Sequence, residues 1–302
     1  MRIAYLLLAH RDIPFIKRVS EKLTAETRNE CFIHFDAKSN EKVEISAGSN
    51  RIHWLEERYP VYWGGYSVIL ATLALFKEAV SKGFDRYMIF HGADYPLYNN
   101  HYINHFFEDH SEVEFINAID ESNGNKREWF KYIPKNYLDK PNLIKRIKNR
   151  VNVEYFRSSL PKLCRTCGVT YGGTHHHIYR GWGHFAVTHE LARYILDFSN
   201  RYPEFNDFFK HVYAPDESYF HTIVYNSEWV KKTQNGGPIP EKERCLKNLL
   251  NLTYFEYPSS VRILKYKEEY ELLKKTGYLF FRKVGSESKE LLDYIDQVSE
   301  DR

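Results

Sequence analysis

Apolar residues in the first ninety positions alternate between two periods. Ile3 to Ala9 is a continuous apolar run of strand length, the pattern of a strand covered on both faces. Pro14 to Leu23 then sets Phe15, Val19 and Leu23 at helical spacing, and Cys31 to Phe35 returns to a strand pattern. A third short strand is expected at Arg51 to Leu55. Tyr66 to Lys82 carries Ile69, Leu73, Phe76 and Val80 on one helical face, with Gly83 as the stop, and Arg86 to Phe90 reads as a fourth strand. Strands alternating with helices argue for an α/β layer architecture around a mainly parallel sheet.

Composition narrows the class. The 302 residues, 43% of them hydrophobic, allow one large or two medium domains, and no run approaches the roughly 18 apolar residues of a membrane span. The opening run is short, is followed at once by His10-Arg11-Asp12 and lacks a small-residue cleavage site, so it reads as a strand and not as a secretory signal. Four cysteines are few for this length, which fits a reducing, cytoplasmic setting. Cys164 and Cys167, followed by the run His175-His176-His177, offer metal-ligand types, but nothing completes a known zinc pattern. The net charge of +3 gives no support to a nucleic-acid partner. Locally, Lys126 to Arg150 holds nine Lys or Arg against Glu128 and Asp139. That stretch is either a solvated face or a contact for an anionic surface such as membrane headgroups.

Polar residues gather just after the strands: His10-Arg11-Asp12, Asp36-Ala37-Lys38, and His91 to Pro96. Open parallel sheets bind ligands outside their carboxyl ends, so these clusters predict one crevice. Neither a G-x-G-x-x-G fingerprint nor a phosphate-binding P-loop is present, which leaves sugar nucleotides prominent. Further on, Pro215-Asp216-Glu217 heads a pattern in which Phe220, Ile223 and Val224 share one helical face. One helix entered through the proline is expected, with both acids in its first turn, where the dipole favours negative charge. Such acids are either ordinary helix-start signals or the seat of a catalytic base.

Six elements in order resemble the core 2/I-branching β-1,6-N-acetylglucosaminyltransferases and the peptide O-xylosyltransferases grouped with them. They are Ala4 to His10, Phe32 to Lys38 ("IHxDxK"), Phe90 to Leu97 ("SGxDYP"), Gly181 to Thr188, Pro215 to Ser227 ("P-[DA]-E-S-F-F-H-T-x-x-x-N-S") and Leu279 to Lys283 ("LFARKF"). The resemblance implies a glycosyltransferase-A fold, with a Rossmann-like, mainly parallel sheet flanked by helices in one catalytic domain over 1–302. Its nucleotide-binding half would cover about 1–118 and its acceptor and catalytic half about 119–302. It implies an inverting transfer from a UDP-sugar, UDP-GlcNAc before UDP-xylose, to a glycan or lipid-linked saccharide. The length suits a bacterial-type enzyme building a surface polysaccharide, peripheral at the inner face of the cytoplasmic membrane.

By motif position Glu217 is the base. Asp216 positions the acceptor or caps the helix, the cap being favoured. No Asp-x-Asp occurs in the chain, so no metal or other cofactor is expected, and the leaving diphosphate falls to Lys283 and Arg262. Val284 stands where the family has phenylalanine. Asp36 resembles the carboxylate on the uridine, with His10 and Arg11 beside it, and Asp94 lies near the donor sugar or is a turn residue. Trp182 and Trp63 are either sugar platforms on the acceptor side or core residues. Two readings of other classes remain: a glycan-binding module without catalysis, and a zinc-dependent regulator built on the Cys and His run.

Overall fold

The computed structural model describes residues 1–41, 50–124, 126–132, 139, 144, 147, 151, 155, 166–256 and 262–300. Four parallel strands form its centre: β1 (Ile3–Ala9), β2 (Glu30–Phe35), β3 (Ile52–Trp54) and β4 (Arg86–His91). The later strands are β5 (Asp94–Pro96), β6 (Ala118–Asp120), β7 (Gly168–Tyr171), β8 (Thr174–His177), β9 (Tyr179–Gly181), β10 (Ala186–Thr188), β11 (Thr253–Phe255) and β12 (Phe280–Arg282). β10 joins the far edge of β4 in the antiparallel sense, giving a five-stranded sheet in the order β10-β4-β1-β2-β3. This is a mixed α/β fold with a mainly parallel central sheet flanked by helices, as the alternating periods predict.

The apolar run of β1 is continuous because both of its faces are covered. Tyr5 and Leu7 enter one core with Phe15, Val19 and Leu23 of the helix Ile13–Thr24; Ala4 and Leu6 enter the other with Ile69, Leu75 and Phe76 of the helix Ser67–Val80. Each fully buried side chain of this size contributes roughly 1.5–3 kcal/mol. A one-residue slip would exchange the two sets of side chains between faces, so packing fixes the register. That register, Leu7 opposite Ile33 and Phe90, brings the carboxyl ends of β1, β2 and β4 level with one another.

Two smaller sheets complete the crevice. β12 lies between β11, to which it is parallel, and β5, to which it is antiparallel; Arg282 falls opposite Asp94 on one side and Phe255 on the other. β6 and β9 pair antiparallel with Ile119 opposite Arg180. Gly181, the last residue of β9, has no room for a side chain: a Cβ there would lie 2.0 Å from the Asn117 carbonyl oxygen and 2.4 Å from His221 Nε2.

The segment from Pro215 departs from the expected single helix. Pro215–Glu217 is a 3-10 turn of its own, Ser218 breaks the path at φ −137°, and an α-helix then runs only over Tyr219–Tyr225. Every residue of that helix is buried, so the apolar face of the pattern is real, but the acids precede the helix and Asp216 does not cap it. Ala214, before the proline, adopts the left-handed conformation (φ 51°, ψ 58°), and its N–H donates to the Gly64 carbonyl at 3.0 Å. A non-glycine residue in this region costs roughly 1–2 kcal/mol, and the neighbouring proline disfavours helical conformations at this position.

The contact of Gly181 with the Asn117 backbone cannot be relieved by a rotamer change. Gly181→Ala is expected to destabilise the protein by about 1–3 kcal/mol, the usual range for overpacking, read as a fall in the urea midpoint at constant m. An unchanged midpoint would show that the β6–β9 pair is not held closed at this glycine.

Candidate active site

A cavity of about 610 Å³ opens at the carboxyl ends of β1, β2 and β4. His10 and Arg11 line it from the end of β1, Asp36 and Lys38 from β2, and His91 and Gly92 from β4. Its other walls are Trp63, Trp182 to His184, the turn carrying Asp216 and Glu217, and Phe255 with Arg282 and Lys283. The three polar clusters that follow the strands in sequence thus share one crevice with four segments from the second half of the chain.

The cationic wall is organised by a carboxylate that the cavity does not reach. Asp94 is 0% exposed; its Oδ2 accepts from the His91 backbone N–H at 2.7 Å and lies 2.8 Å from His184 Nε2. Arg282 Nε stands 3.3 Å from Asp94 Oδ1, and its Nη1 is 2.7 Å from His184 Nε2. Burial alone would raise the Asp94 pKa, but Arg282 and His184 outweigh it and hold the carboxyl well below its usual range. Burial lowers the pKa of both His91 and His184, which favours neutral rings. Lys283 carries a lowered pKa from burial and from the adjacent charges of Arg282 and Arg11. Mutual repulsion among three cations at one wall is what a bound anion would relieve.

His91, Asp94 and His184 offer ligand atoms all within 4.8 Å of one another, the only such group of three among the described residues. The donor set fits a metal ion poorly, because the guanidinium of Arg282 already contacts Asp94 and His184 and approaches His91 Nδ1 at 3.4 Å. A divalent ion would have to displace a cation that the buried carboxylate holds.

Two carboxylates line the same cavity. Burial, with the charge of Glu217 as a second cause, pushes the Asp216 pKa up to about 7. Glu217 keeps a partly exposed side chain (31%), and its Oε2 lies 3.4 Å from Arg180 Nη1. Arg180 itself is held by Glu121: its Nε donates to Glu121 Oε1 at 2.6 Å. Gly183 leaves Asp216 accessible from the cavity, since a Cβ there would come within 3.5 Å of Asp216 Oδ2.

The structure brings together His10, Arg11, Asp36, Trp63, Trp182, Asp216, Glu217 and Lys283, and leaves Asp94 and Arg262 outside the lining. Asp94 acts from beneath the wall, through Arg282. Arg262 corrects the expectation drawn from its place in the chain: its side chain is 45% exposed and held by Glu256 at 2.9 Å and Glu269 at 2.6 Å, so it does not meet Lys283 at the cavity. Arg282, one residue before Lys283, stands there instead. Asp36 is buried and accepts from the backbone N–H groups of Lys38 (2.8 Å) and Val61 (3.2 Å). Trp63 is 84% exposed and makes an edge contact with Tyr213, which removes the core reading for it. Trp182 packs on His184 and Phe255, with its Nε1 buried and without a hydrogen-bond partner among the described residues.

Arg180, Glu121, His184 and Arg282 were not among the residues singled out by sequence. Alternation along β12 does not mark Arg282, since Phe280 and Phe281 before it are both buried in the core; its signal is a lone base closing that apolar run. Cys164 and six of the nine basic residues of the 126–150 stretch lie outside the described residues. His176 stacks on Tyr171 and His177 Nδ1 pairs with Asp120 Oδ2 at 2.9 Å, so those two rings already have partners.

A mainly parallel central sheet flanked by helices, with a crevice at the carboxyl ends of its strands that holds both cations and carboxylates, is consistent with a glycosyltransferase-A type domain. A family model described as Core-2/I-Branching enzyme matches residues 3–237, and the chain belongs to that family of glycosyltransferases. It is similar to xylosyltransferase 2 of Pan troglodytes and of Homo sapiens, each 23% identical over 236 residues that cover 75% of this chain and 25% of the relative. The chain therefore spans about a quarter of the length of the curated relatives it matches.

The raised Asp216 pKa has a testable sign. A carboxyl with a folded pKa above its unfolded value of about 3.9 takes up protons on folding, so it costs stability as pH rises from about 4 to about 7. Asp216→Asn removes that titration. Its stability relative to wild type, from urea unfolding, should therefore improve between about pH 4 and about pH 7 and level off above. A constant difference across this range would show that Asp216 ionises normally.

Proposed function

We propose that the chain is an inverting, UDP-sugar-dependent glycosyltransferase that works without a metal ion. The observation that carries this reading is the presence in one cavity of three cations, Arg11, Arg282 and Lys283, together with the turn that carries Asp216 and Glu217. The acceptor hydroxyl attacks the anomeric carbon, Glu217 takes its proton, and the bond to the diphosphate oxygen breaks as the new glycosidic bond forms. The electron pair departs with UDP, whose growing charge is met by Lys283 and Arg282. His10 and Asp36 face the nucleotide, and Asp216, whose pKa burial pushes up to about 7, hydrogen-bonds a sugar hydroxyl. The exposed face of Trp63 suits the C–H face of an acceptor pyranose.

We take UDP-GlcNAc as the donor, and a glycan or lipid-linked saccharide as the acceptor of a β-linkage, possibly to a 6-hydroxyl. UDP-xylose is the second reading, favoured by the names of the relatives. We also place the reaction on the cytoplasmic side of an anionic membrane. Three helical residues, Ile144, Ile147 and Val151, are 58–76% exposed at spacings of three and four, and the sequence between them carries Lys145, Arg146, Lys148 and Arg150. Apolar residues on one face amid basic sequence suit an interfacial contact. No helix among the described residues is long and apolar enough to cross a membrane.

Titrating UDP into the protein in excess EDTA is expected to show binding by calorimetry, weakened at least about tenfold in Lys283→Ala and Arg282→Ala, with Arg262→Ala unchanged. Glu217→Gln should retain UDP binding and lose transfer by about 100-fold or more. Binding only with added Mn²⁺ would overturn the metal-free reading; absence of binding in both conditions would favour a glycan-binding module. In flotation assays the protein should associate with phosphatidylglycerol vesicles more than with phosphatidylcholine vesicles, and Ile144→Asn/Ile147→Asn should abolish the difference. Equal partitioning to both lipids would remove the anionic-surface proposal.

A further inference from the structure

The geometry points to Arg180 as the residue that positions Glu217, and to buried Glu121 as the anchor that holds Arg180 in place. This inference deepens the reading of Glu217 as the base and rests on it.

Glu217 by itself is poorly constrained. It ends a single 3-10 turn that follows the strained Ala214, its side chain is partly exposed, and a free Glu side chain keeps up to about 2 kcal/mol of rotamer entropy. In-line proton removal requires the carboxylate oxygen in one place. Arg180 reaches it from β9, whose register against β6 is closed tightly at Gly181.

The anchor behind Arg180 is rigid. Glu121 is 0% exposed; its backbone N–H donates to the Ile178 carbonyl at 2.9 Å, and its carbonyl accepts from Trp129 Nε1 at 2.8 Å. Its Oε1 receives Arg180 Nε and Arg244 Nη2, each at 2.6 Å. Two guanidinium groups on one buried carboxylate leave a positive excess, part of which Arg244 directs to the exposed Glu241. The rest is presented by Arg180 Nη1 to Glu217 Oε2. The planar guanidinium spends one edge on Glu121 and turns a nitrogen toward the cavity, a division that a lysine ammonium cannot reproduce.

The same arrangement separates the roles of two adjacent acids. Among the described residues Arg180 pairs with Glu217 and not with Asp216, while burial raises the Asp216 pKa. Arg180 touches neither of the reacting sugars in this account; it acts through Glu217.

The test measures UDP release from UDP-GlcNAc and from UDP-xylose, with UDP affinity measured separately by calorimetry. Arg180→Gln should lower kcat about 10- to 100-fold while KM for the donor and UDP affinity stay within about twofold. Arg180→Lys should recover only part of the rate, and added guanidinium ion should raise the rate of Arg180→Ala but not that of wild type. Unchanged kcat in Arg180→Gln, or a loss carried wholly in KM, overturns the positioning role. A variant that fails to fold is replaced by Glu121→Gln, which leaves both arginines and should show the same kcat-specific loss; a normal kcat there also overturns it. If Glu217→Gln releases UDP as fast as wild type, the base assignment itself fails and takes this inference with it. If Glu217→Gln is dead and the Arg180 variants are normal, the base stands and only the positioning role falls.

Discussion

The arrangement of the cavity depends on one buried carboxylate. Asp94 has no route to solvent, and an isolated charge at such a depth would be forced to neutralise. It stays ionised because Arg282, His184 and the His91 N–H converge on it. These partners come from three separate stretches of chain: the end of β4, the segment before β10 and the last strand. Satisfying one carboxylate therefore ties the central sheet to its antiparallel edge and to the small sheet of β11 and β12. It also sets a second basic residue at the cavity, since Arg282, held against Asp94, lines it beside Lys283.

The surroundings of Glu217 follow the same logic with a second buried acid. Glu121 gathers Arg180 and Arg244 as Asp94 gathers Arg282. In both cases the exposed chemistry is supported by a charge one layer deeper, and in both the supporting acid lies at the margin of a short strand, β5 or β6. Short strands bring little packing of their own, so the ion pairs contribute to where they sit. Removing one partner of such a pair is costly, because it strands the other charge in a poorly solvated place.

The sequence discloses the layers of the fold well and the site in part. The first 90 residues are legible because β1 is buried on both faces and the two helices show their apolar faces plainly, so periodicity alone places them. The strand-end clusters are legible for the same reason: once the strands are placed, His10, Asp36 and His91 must share an end. Beyond that, what matters is partner choice. Arg262 and Arg282 are equally basic in the sequence, and their fates differ because Glu256 and Glu269 fold back on the first while Asp94 claims the second. The turn at Pro215 escapes a helical reading because its cause is a left-handed alanine tied to Gly64, some 150 residues earlier in the chain. Arg180 and Glu121 are invisible to motif spacing, since nothing local links them.

The pairing of β12 with β5 bridges positions 280–282 and 94–96. During synthesis the strand ends that carry His10, Asp36 and His91 leave the ribosome long before the residues that complete the cationic wall. Closing a loop of this length is slow compared with local helix formation. The crevice thus acquires its full charge only at the end of folding, and a chain cut short before β12 would keep much of its sheet while lacking the wall that answers an anion.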